Sequence, residues 1–190
     1  MALLNILKQF NWVDIFFAIL LIRICYVAVK NGFPVELFKL LGTLSAAYLS
    51  LHYYIIFSDY IVGRIGEKFI PLEYLTFFSF IALAILGYLI FMLLRKVFSR
   101  FIQMKAVPNL NKWGSLILSM MRSFLFVSLI IFILVIAPTV YFRNSVNNSY
   151  SGKRLFNIAP TTYAWLWNGI MSKFRTQEKF NETILEVQAS

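Results

Sequence analysis

Four long apolar runs decide what this chain can fold into. They cover residues 12–29, 35–57, 74–94 and 114–137, and each is long enough, at roughly 20 residues, to cross a bilayer as a helix. The runs are continuous rather than alternating, which favours helices over a closed barrel. We therefore predict an all-α polytopic membrane protein, with four transmembrane helices in residues 1–142. An extramembrane or interfacial tail follows in residues 143–190, whose Tyr163, Trp165 and Trp167 are expected to lie at the head-group level.

The composition agrees with a membrane protein. Hydrophobic residues make up 60% of the chain and charged residues 14%, whereas soluble domains carry about 25% charged residues. The net charge of +10 is typical either of a nucleic-acid-binding protein or of a membrane protein with basic loops. The hydropathy favours the second class, so we expect the lipid bilayer as a partner and no nucleic acid.

Basic residues are concentrated between the third and fourth apolar runs. This connection contains five bases and no acid: Arg95, Lys96, Arg100, Lys105 and Lys112. Beside membrane helices, the pattern predicts contact with anionic lipids on the cytoplasmic side. With four spans, both termini are then expected to be extracytoplasmic, although bases in the tail weaken the contrast between the two sides.

A short turn joins the first two apolar runs. Gly32 suits the left-handed position that ends a helix, and Pro34 suits the first turn of the next helix. Glu36 then falls in that first turn, where the helix dipole favours an acid. We predict that the two helices form an antiparallel hairpin. Gly42 and Ala46, four residues apart, predict close packing against another helix.

Three charged residues within the apolar runs need partners. Asp14 and Arg23 are nine residues apart and lie on opposite faces of one helix, so they cannot pair with each other. Arg23 and Arg122 fall at similar depths, ~12 Å from the cytoplasmic edge. They are expected either to form structural pairs or to line a shared site for an anion or lipid head group. Arg23 cannot easily extend to its nearer edge, so we expect its partner on another helix, near the layer of Arg122.

The sequence contains no motif for catalysis or metal binding. It has one cysteine, Cys25, and one histidine, His52, and it lacks a nucleophile motif, a phosphate-binding glycine loop and a pair of metal ligands. We predict a protein that is not an enzyme and uses no cofactor or metal. His52 is expected either in a pH-sensitive contact with Asp14 or at the membrane interface beside Tyr53 and Tyr54.

Several stretches of the chain resemble the colicin V production protein (CvpA) family. They are NWVDI at 11–15, KNGFPVEL at 30–37, LNKWGSLILSMMRS at 110–123 and SYSGKRLFNIAP at 149–160. The positions that carry the resemblance are Asn11, Asp14, Gly32, Glu36, Gly42, Gly114 and Arg122. It implies a four-helix protein of the bacterial inner membrane, linked to colicin V production and cell-envelope homeostasis. Some relatives carry an extracytoplasmic serine-protease domain after the helices, which agrees with an outward-facing C-terminus.

Two functions of different kinds follow as hypotheses. The first is a non-catalytic membrane scaffold that supports colicin V or peptide toxin production or export and cell-envelope homeostasis. It would bind protein partners, lipids or a second copy, with Asp14, Arg23, Glu36 and Arg122 as its candidate polar positions. The second is a small transporter or channel subunit for an anionic solute, which would use Arg23 and Arg122.

Overall fold

The computed structural model describes residues 11–65, 70–101 and 108–189. Four long helices come first: α1 Trp12–Asn31, α2 Phe33–Ile65, α3 Leu72–Phe101 and α4 Pro108–Ile136. Shorter helices form the tail: α5 Val140–Asn147, α6 Tyr150–Leu155, α7 Ile158–Leu166 and α8 Thr183–Ala189. Helix α7 continues through a π-helical segment, Trp167–Met171, and a last turn, Ser172–Phe174. The prediction of an all-α fold is confirmed.

Three of these helices are long and apolar enough to cross a membrane. They are Phe33–Arg64, Leu72–Phe98 and Asn111–Ile136, within α2, α3 and α4 respectively. The helices extend beyond the apolar runs at both ends of α2 and α3, since polar residues such as Arg64 and Arg95 continue the helical backbone. Of the five bases expected to contact lipid, Lys105 lies outside the described residues.

Helix α2 is the centre of the bundle, and α1 stands to one side. Helix α2 packs along α3 and α4, whereas α1 packs on α4 and touches α2 only slightly. The turn of the predicted hairpin is therefore present, but its two arms do not pair along their length. The reason is the distribution of small and large side chains. Ala46 of α2 meets Gly87 of α3 so closely that a Cβ at Gly87 would lie 2.8 Å from the Ala46 Cα, while Val13 and Phe17 of α1 pack with residues of α4.

The bundle has two ends of different construction. At the turn end, the α1–α2 connection meets the start of α4, and Phe38 of α2 contacts Phe98 of α3. At the tail end, the tail closes the main core of the molecule. Its buried residues Tyr163 and Ile184 belong to the same hydrophobic cluster as Phe80 of α3 and Phe132 of α4. Of the three aromatic residues expected at the head-group level, Tyr163 and Trp167 are buried in this core, and only Trp165 is exposed.

The charges divide unevenly between these ends. Among side chains that the structure describes, the turn end carries seven bases and one acid: Arg23, Lys30, Lys39, Arg95, Lys96, Lys112, Arg122 and Glu36. The tail end carries seven bases and six acids: Arg64, Arg143, Lys153, Arg154, Lys173, Arg175, Lys179, Asp14, Asp59, Glu73, Glu178, Glu182 and Glu186. Seven minus one leaves the turn end at +6, and seven minus six leaves the tail end at +1.

Candidate functional site

A buried carboxylate lies at the turn end, in the first turn of α2. Glu36 has no exposed surface. Its Oε1 accepts hydrogen bonds from Asn31 Nδ2 at 3.0 Å and from Lys39 Nζ at 2.8 Å. Its Oε2 lies 2.9 Å from Arg122 Nη2. A single carboxylate thus contacts the end of α1, the start of α2 and the middle of α4.

The contact between Glu36 and Arg122 is an ion pair rather than an aligned hydrogen bond. The distance between Oε2 and Nη2 is short, but among the described residues neither Glu36 Oε2 nor Arg122 Nε has a hydrogen-bond partner of good geometry. A buried charge is costly unless a charge of opposite sign compensates it. Here Arg122 and Lys39 compensate Glu36, and Glu36 in turn holds the Arg122 side chain, which is 12% exposed.

Local sequence features place this carboxylate. Gly32 has φ 78°, a backbone conformation that glycine adopts without strain, so the chain can turn directly from α1 into α2. The Phe33 amide, one of the unpaired donors at the start of α2, donates to Asn111 Oδ1 at 2.7 Å. Pro34, which needs no hydrogen bond for its nitrogen, falls in this first turn.

Gly114 lets α4 approach the turn. A Cβ at Gly114 would lie 2.5 Å from Cδ2 of Phe33, so any side chain there would displace the Phe33 ring. Four of the residues that carry the family resemblance, Gly32, Glu36, Gly114 and Arg122, are therefore parts of one junction. Gly42 lies farther along α2, where a Cβ would lie 3.2 Å from the Tyr88 ring of α3.

Asp14 is at the tail end, where it caps α1 and holds the tail. Asn11 is the N-cap residue, and its backbone amide donates to Asp14 Oδ2 at 2.9 Å. From α6, the amides of Ser151 and Tyr150 donate to the same carboxylate at 2.7 and 3.3 Å, together with the Ser151 hydroxyl. Asp14 therefore fastens α6 to the first turn of α1. Its spacing of three from Asn11 is a capping-box signal that could have predicted the contact with Asn11 but not the contact with α6.

Arg23 differs from the expectation drawn for it. Its side chain is exposed and makes no ion pair or side-chain hydrogen bond with any residue that the structure describes. It shares an exposed face of α1 with Tyr26, whose ring lies 4.6 Å from Lys30 Nζ. Because α1 turns its other face towards α4, Arg23 is directed away from the bundle, and Arg122 pairs with Glu36 instead. The two arginines do not line a shared site.

His52 lies in the tail-end core and does not contact Asp14. It is 3% exposed, so it is not at an open interface either. Its Nδ1 is 2.7 Å from the Tyr163 hydroxyl, and its Nε2 is 3.2 Å from Glu178 Oε2. The sequence pattern gives no sign of this contact, because Glu178 follows His52 by more than a hundred residues and lies in a polar stretch of the tail.

Two tail residues of this cluster have shifted pKa values. Burial raises the pKa of Tyr163 to about 12, so its hydroxyl keeps its proton at neutral pH. Burial by itself raises the pKa of Glu178, but hydrogen bonds from Arg175 and Tyr53 outweigh it, and the pKa lies below its ordinary value. Glu178 is therefore ionised at neutral pH and accepts from Tyr53 at 3.0 and 3.1 Å.

In the described part of the chain, no group of three or more His, Cys, Asp or Glu side chains is arranged to hold a metal ion. The chemistry of the turn-end junction is that of charge compensation: one carboxylate, two cations and one amide donor. Sequence reasoning named Glu36 and Arg122 but missed Lys39, which is three residues beyond Glu36 on the same helix face. It also missed Asn31 and Asn111, for which the pattern contains no signal.

Neither the curated proteins nor the solved structures include a significant match to this chain. The family model of the colicin V production protein matches residues 13–160. That span includes α1 from its second residue, α2 to α4, the Glu36–Arg122 junction, and the Asp14 contact with α6. The chain belongs to the colicin V production protein family.

Proposed function

We propose that this protein is a four-span scaffold of the bacterial inner membrane that supports production or export of colicin V or a related peptide toxin and cell-envelope homeostasis. Helix α1 would be the fourth span, since its 20 residues extend for about 30 Å. The charge excess of the turn end supports its placement in the cytoplasm, because basic residues are retained on that side. The tail end is then extracytoplasmic, with both termini.

Arg23 is the observation on which the scaffold role depends. In the middle of a span, an arginine costs from about 2.5 kcal/mol on insertion scales to more than 10 kcal/mol in simulations, unless it is paired or reaches water. Arg23 has no partner among the described residues, and its neighbour Ile22 is 70% exposed. A membrane protein that presents a carboxylate to this face of α1 would remove the cost. We therefore assign the Arg23 face to a protein partner.

The other charged positions serve the bundle itself. Asp14 fastens the tail, and Glu36 and Arg122 compensate each other at the turn end, so these three residues would act by keeping the scaffold rigid. The bases between Arg95 and Lys112 would add contact with anionic lipids of the cytoplasmic leaflet. A catalytic role has no support from any of these contacts.

Site-specific photo-crosslinking in cell membranes tests the partner. A crosslinker at Ile22, beside Arg23, should yield a discrete protein adduct, which weakens in an Arg23→Leu background and survives in Arg23→Lys. A crosslinker at Ile85 of α3, which is 54% exposed, is the control for a face turned to lipid. An adduct of twice the chain mass would identify a second copy as the partner. Lipid adducts alone at position 22 would contradict the proposal.

The alternative, a small transporter or channel subunit for an anionic solute, has less support. It requires Arg23 and Arg122 to share a polar site, and the two side chains point to different surroundings. Arg122 is already neutralised by Glu36, so an anion would have to displace a carboxylate that is fixed on the neighbouring helix. No specific observation favours this function.

A further inference from the structure

A groove lies between α2 and α3 at the turn end of the bundle. It encloses about 230 Å³ and is lined by Phe38, Lys39, Tyr88, Phe91, Met92 and Arg95. Four of these six side chains are apolar or aromatic, and the other two are cations. Met92 is 39% exposed, so the rim of the groove reaches the outer surface of the bundle, where lipid would surround it.

The two cations of the groove are not fully compensated. Lys39 uses one of its three donor hydrogens on Glu36 Oε1, and Glu36 must also balance Arg122. Arg95 is half-buried and makes no ion pair or side-chain hydrogen bond with the described residues. Lys39 and Arg122 share the Glu36 carboxylate and Arg95 has no counter-charge, which leaves an excess of two positive charges among these side chains.

The depth of both cations suits the head-group region. Lys39 follows Gly32 by seven residues, or about 10 Å along α2, and Arg95 precedes the end of α3 by six residues, or about 9 Å. Lysine and arginine side chains can extend several ångströms towards the interface while their methylene groups stay in apolar surroundings. Gly42 lets Tyr88 and Phe91 of α3 pack closely against α2 at the inner wall of the groove. A Cβ at Gly42 would lie only 3.2 Å from the Tyr88 ring and 3.3 Å from the Phe91 Cβ.

We propose that this groove binds one phospholipid with an anionic head group from the cytoplasmic leaflet. Its phosphate would lie between Lys39 and Arg95, and its glycerol and upper acyl chain would contact Phe38, Tyr88, Phe91 and Met92. The apolar lining and the position between two spans indicate a lipid rather than a soluble phosphate. This inference deepens the proposed lipid contact and rests on the proposed cytoplasmic placement of the turn end.

The first experiment measures lipid retention by the purified protein. The full chain is reconstituted in phosphatidylcholine nanodiscs with and without phosphatidylglycerol, and native mass spectrometry records the lipids that stay bound. Wild type should retain one phosphatidylglycerol. Arg95→Gln should weaken its retention about tenfold, the loss expected for one charged hydrogen bond. Lys30→Gln removes an exposed base of the same end outside the groove and should behave as wild type.

Two arms separate the alternatives. Excess inorganic phosphate should fail to displace the lipid; displacement would identify a phosphate site and overturn the proposal. Equal retention by Arg95→Gln and Lys30→Gln would also overturn it, since binding would then depend on net charge alone. A photoreactive phosphatidylglycerol on the wild-type protein needs no variant, and it should label peptides that contain Lys39 or Arg95. Labelling confined to other peptides would contradict the proposal.

Because the protein is pure in these experiments, their outcome is independent of the partner crosslinking at Ile22.

Discussion

At the scale of single residues, Glu36 is the side chain on which most of the turn end depends. It is the one acid among the described side chains of that end, and it receives Asn31, Lys39 and Arg122 at once. Removing it would leave two cations without a counter-charge, one of them almost entirely buried. The contacts of Glu36 are therefore those of a structural residue that joins α1, α2 and α4, and not those of a reactive group.

Replacement of Glu36 by leucine should destabilise the protein by about 3–5 kcal/mol, because it leaves Arg122 as an uncompensated buried charge. The double variant Glu36→Leu/Arg122→Met should lose clearly less than the sum of the two single losses. Unfolding in detergent, followed by circular dichroism, measures both. Glu182→Leu, an exposed acid of the tail, is the matched control and should stay within about 0.5 kcal/mol of wild type. Additive losses in the double variant would contradict the ion pair.

At the scale of elements, the tail is held on the bundle by polar contacts as well as by its apolar core. Asp14 binds α6, and the Asn181 amide group donates to the Leu51 carbonyl of α2 at 2.7 Å. Glu178 adds contacts to Tyr53 and His52 of α2 and to Arg175 beside it. The segment between α7 and α8 is therefore attached to α2 although it contains no long helix.

Acid should loosen this segment. The pKa of Glu178 is lower in the folded protein than its ordinary value of 4.5, so its stabilising contribution is present above pH 4.5 and is lost as the pH falls through the lowered value. Between pH 5 and pH 3, hydrogen exchange of residues 175–182 should slow less than the intrinsic pH dependence of amide exchange predicts, because these residues lose protection. Glu178→Gln should remove most of this extra dependence, and Glu182→Gln should preserve it. An unchanged dependence in Glu178→Gln would assign it to another group.

The elements were largely predictable from the sequence, and their contacts were not. Hydropathy alone located α1 to α4, and Gly32 with Pro34 located the turn, because helix length and turn chemistry depend on local residues. Which helices pack against each other depends on how the shapes of side chains that are far apart in the sequence fit together. Thus the close approach of Ala46 to Gly87, and the preference of α1 for α4, do not follow from periodicity.

The tail shows the same limit more clearly. Tyr163 and Trp167 have the composition of an interfacial belt, and only the fold reveals that they complete a core with Leu51, Phe80 and Phe132. Arg23 shows the opposite case. A mid-helix arginine suggests a partner within the chain, but α1 presents Arg23 outward. Apart from its few charged residues α1 is apolar on all sides, so its hydropathy does not show which face packs against the bundle.

At the scale of the whole molecule, the charge asymmetry predicts the orientation in the membrane. The turn end has an excess of +6 and the tail end +1 among the described side chains, and the excess of bases should stay in the cytoplasm. In a Cys25→Ser background, Gln177→Cys in the tail should react with a membrane-impermeant maleimide in intact spheroplasts. Lys112→Cys at the start of α4 should react only after the membrane is opened. The reverse pattern would invert the proposed topology.

The burial of Ile184 has a consequence for how the protein is made. This residue is 1% exposed and lies in the main core, yet it follows the last long helix by most of the length of the tail. In the proposed four-span topology, the long helices would therefore insert into the bilayer before Ile184, Tyr163 and Trp167 fill the main core. Membrane insertion and completion of the core would then be separate steps in biosynthesis, and the second would begin only after the tail has crossed the membrane.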